Sequence, residues 1–231
     1  MPSKNEEKYY LENSYYHLYN RGVEKRIIFL DQQDNYTFLS YLKVYLLPKD
    51  VIKLQEQLMD VKLTSRERDH ILKLLRLNNF SDTLELIAFC LMPNHFHFLI
   101  FQLEKTTIDQ FMNSIMTRYS MYFNKKYKRV GPLFQGVYKA VSVVSDEQLI
   151  HLSRYIHQQA LKLKGQPLEP QPSSYRNYIG EISQEWVKPD KVLNLFSTGK
   201  LSKFDSTLTY RKFVEDFDID SKGILGKIVL E

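Results

Sequence analysis

Apolar residues recur along the chain at two spacings, every second position in some stretches and every third or fourth in others. YYHLYNRG (Tyr15–Gly22) alternates with β-favouring residues and ends at a glycine, which predicts a first strand. DQQDNYTFLSYLKVYLL (Asp31–Leu47) starts acidic, carries apolar residues at helical spacing and stops at Pro48, which predicts a helix. The highly charged stretch Val51–Asn79 reads as a helical hairpin inserted ahead of the next strand. TLELIAFCLM and HFHFLIF then predict two strands joined by a tight turn at Pro93–Asn94. In Thr106–Lys128 the residues Ile108, Phe111, Met112, Ile115, Tyr119 and Tyr122 mark a long helix, ended by Gly131–Pro132. LFQGVYKAVSVV predicts a further strand. SDEQLIHLSRYIHQQALKL predicts a helix with Ser145 as its N-cap and Asp146–Glu147 in its first turn.

Strand, helix, insert, strand, strand, helix, strand, helix is the order of an α+β fold. It implies a mainly antiparallel sheet of the ferredoxin-like or RRM-like kind with helices packed on it, a layout often used to bind nucleic acid. The proline-rich GQPLEPQPSSY (Gly165–Tyr175) marks a boundary. The expected organisation is one domain over residues 1–165, with a helical insert at 48–82, and a C-terminal extension over 166–231 that includes the helix-like LTYRKFVEDF.

With 231 residues, 43% of them hydrophobic, the chain can bury a full core. Lys and Arg total 32 against 27 Asp and Glu, a basic excess that permits nucleic-acid binding without demanding it. Tyr (16) and Phe (14) are abundant, and several Tyr stand among basic residues, as suits a surface that stacks unpaired bases. One cysteine, Cys90, excludes internal disulfides and cysteine-based zinc modules. MPSKNEEKYY is too polar for a signal peptide and no apolar run approaches membrane-spanning length, so the expected location is cytoplasmic, away from the membrane.

Candidate chemistry centres on LMPNHFHFLI (Leu91–Ile100). Strand alternation puts His95 and His97 on one face and Phe96 and Phe98 on the other. A single histidine there would be a core residue; two on one face point to a divalent metal that still needs a third ligand. On the later helix Tyr155 shares a face with Gln159, four residues on, and with His151, four residues back. Spacing alone does not bring that helix to the histidines. His17 could face the site but more often such a histidine packs within its strand, while His70 reads as solvated and TSRERDH as an exposed helix face.

The run HFH after MPN resembles the signature of the single-tyrosine HUH transposases, above all the REP-associated tyrosine transposases. YYHLYNRGVEKRIIF, RYSMYFNKKYKRVGPLFQG, LSRYIHQQA and SSYRNYIG resemble further elements of that family in the same order, from about Tyr15 to Gly180 apart from the insert. The resemblance implies His95 and His97 as metal ligands, Gln159 as the third, Tyr155 as the nucleophile and Mg²⁺ or Mn²⁺ as the cofactor. The implied activity is cleavage and rejoining of single-stranded or hairpin DNA through a 5′-phosphotyrosine, without ATP. His151 or His157 are the weaker choices for a base. Tyr119 is the rival nucleophile, disfavoured because Phe123, four residues on, cannot ligate a metal.

Phosphate contacts are expected from Arg21, Lys25, Arg26, Arg118, Lys125, Lys126, Lys128 and Arg129, with Tyr119 and Tyr122 either stacking bases or covering the core. Two departures stand out. Gln159–Ala160 replaces the family's Asn-Pro, and Val137 replaces a basic residue for which Lys139 is the nearest substitute. The alternative from another class is a non-catalytic single-strand or hairpin binder on the same sheet. A water-using phosphodiesterase would need a denser Asp/Glu/His cluster. Relatives include both monomers and homodimers, and the sequence leaves both open.

Overall fold

A computed structural model describes residues 10–162, 171–197, 209–216 and 222–226 of the chain. Its strands are β1 (Ser14–Arg21), β2 (Leu84–Met92), β3 (His95–Gln102) and β4 (Lys139–Val143). They form one sheet in the order β2-β3-β1-β4, with every neighbouring pair antiparallel. This is the ferredoxin-like arrangement expected from the element order. Helices α1 (Gln32–Leu46) and α4 (Thr107–Lys126) return the chain between strands, and α2 (Val51–Leu58) and α3 (Ser65–Arg76) make the helical hairpin between α1 and β2. After β4 come α5 (Asp146–Lys162), α6 (Tyr175–Tyr178), α7 (Asp190–Ser197), α8 (Tyr210–Glu215) and α9 (Lys222–Leu225). Most of the linker expected at Gly165–Tyr175 lies outside the described residues.

Strand periodicity divides the core in two. Tyr16, Leu18, Phe96, Phe98 and Ile100 point to the face covered by α1 and α4, where Phe38, Leu42, Phe111, Ile115 and Tyr119 bury them. Leu99, Cys90, Val141 and Val143 point the other way, under Leu149, Leu152 and Ile156 of α5. Burying one such Leu or Phe side chain stabilises the fold by about 1.5–3 kcal/mol, so the two apolar layers decide which way each strand faces. A bulge between Leu86 and Ala88 resets the alternation, placing both Ile87 and Ala88 on the α5 side.

Local signals set the helix starts. Asp31 accepts from the backbone N–H of Asp34 at 3.0 Å and Ser145 from that of Gln148 at 3.1 Å, both as N-caps. Thr64 and Glu67 form a reciprocal capping box on α3. The fourth strand is shorter than its apolar run suggested. Gly136 takes φ +68°, and the chain turns there before Lys139 joins the sheet.

The C-terminal segments complete the second layer. Leu91 N–H donates to Pro172 O at 2.9 Å, Ser174 N–H to Phe89 O at 3.0 Å and Lys188 N–H to Leu86 O at 2.8 Å. The outer edge of β2 is thereby paired. Tyr175, Tyr178, Val192, Phe213 and Val214 then pack with α5 in one cluster. By contrast α2 buries no residue and α3 only Ile71, so the insert rests lightly on the rest. Among the described residues no helix is long and apolar enough to cross a membrane.

Candidate active site

His95 and His97 emerge from β3 on the face that α5 covers. His97 is fully buried and His95 partly so. The register places Arg21 and Met92 opposite His95, and Tyr19 and Cys90 opposite His97, while Lys139 of β4 stands opposite Tyr19. Side chains paired across strands share a face, so Arg21, Tyr19 and Lys139 surround the histidines. Arg21 is also fixed by donation from Nε to Gln135 Oε1 at 2.6 Å.

Helix α5 brings Tyr155 to this face. Its half-buried ring meets His97 edge-on, with centroids 5.5 Å apart and planes at 85°, and lies 6.4 Å from the ring of His17. Gln159 is half-buried one turn further along the same helix. Sequence spacing did not place this helix over the histidines; the structure does.

The imidazoles are held in specific ways. His95 Nδ1 lies 2.6 Å from Asn94 Oδ1, an oxygen that only accepts, so Nδ1 carries the proton and Nε2 keeps its lone pair. Asn94 is oriented in turn by donation from Nδ2 to Lys25 O at 3.2 Å. His97 Nδ1 lies 2.9 Å from His17 Nε2, and His97 Nε2 is buried without a hydrogen-bond partner. Burial, and after it the charge of Arg21, pushes His95 down to about 4. Burial, followed by His17 and His95, holds His97 well below the usual histidine value. Both rings are therefore neutral at pH 7, the state in which an imidazole binds a metal.

This donor set fits a divalent cation. Two neutral imidazoles each have Nδ1 occupied and Nε2 unused, and one of those Nε2 atoms is an orphaned buried group. Among the described residues no group of three or more His, Cys, Asp or Glu is placed to hold a metal ion. Gln159, one turn beyond Tyr155 on α5, carries an amide oxygen of the kind that ligates a divalent cation.

Tyr119, the rival nucleophile, lies on the opposite face of the sheet. It is fully buried against Phe29 and Phe38, donates to Ile28 O at 2.6 Å, and is raised by desolvation. Tyr122 donates to Asp34 Oδ1 at 3.0 Å and so braces the core. His157, considered as a base, has both ring nitrogens engaged, with Tyr210 Oη at 2.7 Å and Ser174 Oγ at 2.8 Å. His151 packs edge-to-face on Phe213.

The basic residues divide into two groups. Arg21, Lys25, Arg26 and Lys139 lie at the histidine end of the sheet or in the loop joined to the Pro93–Asn94 turn, with Arg26 3.7 Å from Glu24. Arg118, Lys125, Lys126, Lys128 and Arg129 lie on α4 or just after it, in the layer on the other face. There Arg118 stacks over Tyr41 at 3.9 Å, Lys126 bridges Asp31 and Asp34 at 2.7 Å each, and Arg129 donates to Pro132 O at 2.7 Å. Lys125 and Lys128 are exposed. His17, for which strand packing is the commoner role, does face the site. Its direct cross-strand partner is Leu99, and it reaches His97 only diagonally, which no pattern within one strand reveals.

Residues 51–159 match the family described as "Transposase IS200 like". One solved structure that it resembles, a REP-associated tyrosine transposase bound to a REP hairpin, is 13% identical, with a TM-score of 0.45, covering 80% of this chain and 97% of that one. Another, a putative transposase from Deinococcus radiodurans R1, is 16% identical, with a TM-score of 0.35, covering 67% of this chain and 97% of that one. No curated protein matches the chain.

Proposed function

We propose that this chain is a metal-dependent tyrosine transposase that cleaves and rejoins single-stranded DNA at hairpin-bearing ends, in the cytoplasm. The observation that carries the reading is the edge-on approach of Tyr155 to His97, whose buried Nε2 has no partner, beside His95.

In this reading His95 Nε2, His97 Nε2 and the Gln159 amide oxygen hold Mg²⁺ or Mn²⁺, which when bound polarises a phosphoryl oxygen, orients the scissile phosphate and eases deprotonation of a nearby phenol. Tyr155 supplies the nucleophile. Its oxygen forms a bond to phosphorus in line as the P–O3′ bond breaks, and the departing 3′ oxygen takes up a proton. The 5′-phosphotyrosine conserves the phosphodiester, so a 3′-hydroxyl can reverse the step without ATP. Arg21, Lys25 and Lys139 would neutralise phosphates flanking the reacting one. Three neutral ligands leave the full charge of the cation for a polyanionic substrate.

The test is covalent capture. Labelled hairpin oligonucleotides are mixed with the protein and Mn²⁺ and resolved on a denaturing gel beside Tyr155→Phe and Tyr119→Phe. The expected result is an adduct that EDTA and Tyr155→Phe abolish and Tyr119→Phe spares. Loss with Tyr119→Phe alone would overturn the assignment of the nucleophile. DNA binding without any adduct would favour a non-catalytic hairpin binder.

A further inference from the structure

His17 is a fully buried polar side chain with no part in the chemistry above, yet its ring lies beside His97, with centroids 5.1 Å apart, planes at 19°, and Nε2 2.9 Å from His97 Nδ1. Two neutral imidazoles can share one hydrogen bond only if one donates and the other accepts. If His17 donated, His97 would carry its proton on Nε2, a buried N–H with no acceptor, at a cost of about 1–3 kcal/mol. If His97 Nδ1–H donates, Nε2 keeps a bare lone pair and needs no acceptor. His95 already shows the second pattern, with Asn94 as its acceptor.

We infer that His17 is a positioning residue that accepts a hydrogen bond from His97 Nδ1–H and so holds the Nε2 lone pair of His97 toward the cation site. The inference rests on the metal reading proposed above. His17 stands where a carboxylate or carbonyl often supports a metal-bound histidine. As a neutral acceptor it orients the ring without adding negative charge beside a phosphate.

Two measurements test this. In the metal-free protein, long-range ¹H–¹⁵N spectra should show His97 protonated at Nδ1, the signals being assigned by their loss in His97→Gln. That tautomer should give way to a mixture in His17→Phe, which keeps a ring but removes the acceptor. In Mn²⁺ titrations followed by electron paramagnetic resonance, His17→Phe should weaken binding about 10–100-fold. His17→Gln, whose amide oxygen can take the place of Nε2, should recover part of that loss. Thermal melts establish that each variant is folded, and the wild-type spectrum and His17→Gln still decide the matter if His17→Phe is not.

Protonation of His97 at Nε2 in the wild type would overturn the inference. So would Mn²⁺ affinity in folded His17→Phe within twofold of wild type. A wild type that binds no Mn²⁺ but shows a His17-dependent Nδ1–H tautomer would overturn the metal reading and leave the positioning role of His17 standing.

Discussion

Arg154, the residue before Tyr155, donates from Nε to the backbone carbonyl of Phe213 at 2.6 Å and from its terminal nitrogen to that of Asp216. With Gln158 donating to Val214 O at 2.9 Å, it satisfies the last carbonyls of α8. The helix that presents Tyr155 on one side is thus fastened to the C-terminal elements on the other.

Replacing Arg154 with Met should therefore cost about 3–6 kcal/mol in urea unfolding, since bonds from a charged donor are each worth about 1.5–3 kcal/mol and two are lost. The same variant should lose amide-exchange protection first in α8. An unchanged unfolding midpoint would mean that these bonds carry no net stability.

Lys126→Met should also act on the fold. The side chain of Asp34 is fully buried and would lose its cationic partner, keeping only the donors Leu30 N–H, Tyr122 and Tyr127. A loss of about 3 kcal/mol is expected, while the salt slope of DNA binding stays as in wild type. A slope reduced by about one would instead make Lys126 a phosphate contact.

The pH dependence of that latch follows from its two ends. A hydrogen bond from Lys126 holds the Asp31 carboxyl below its ordinary 3.8, so its contribution is present above pH 3.8 and is lost as pH falls through the lowered folded value. Burial alone would lower the Lys126 ammonium, but bonds to Asp31 and Asp34 outweigh it and hold the group above 10.5. That contribution lasts until pH rises through the raised value. The cost of Lys126→Met should hence be the same at pH 5.5 and 8.5 and shrink below pH 3.8, as read from urea titrations at each pH.

Gly22→Ala should disturb the site from a distance. A Cβ there would stand 2.3 Å from Arg26 O and 2.8 Å from Ile28 Cγ2, in the loop whose Lys25 carbonyl orients Asn94. Overpacking of this kind costs about 1–3 kcal/mol. Adduct formation should fall along with the melting temperature, and a variant that keeps both would show that the loop can yield.

How much of this was legible depended on the range of the interaction. β3, α4 and α5 could be read because their residues obey one period and their ends carry local caps or breakers. The sheet order followed from the succession of elements. β4 was overestimated because Gly136 bends an otherwise strand-like run. The basic character of α4 suggested a DNA surface, but Lys126 faces acids 92 and 95 residues earlier. Arg154 gave no signal, since its partners are backbone carbonyls of a distant segment and no residue type reveals them. His17 was visible as a histidine, but its neighbour was set by a cross-strand diagonal that one sequence does not encode openly.

The cluster around α5 contains Tyr210, Phe213 and Leu225, all of which follow the sheet in the chain. Because chains emerge from the ribosome N-terminus first, a partly made copy would display the sheet and both histidines before Tyr155 had a seat.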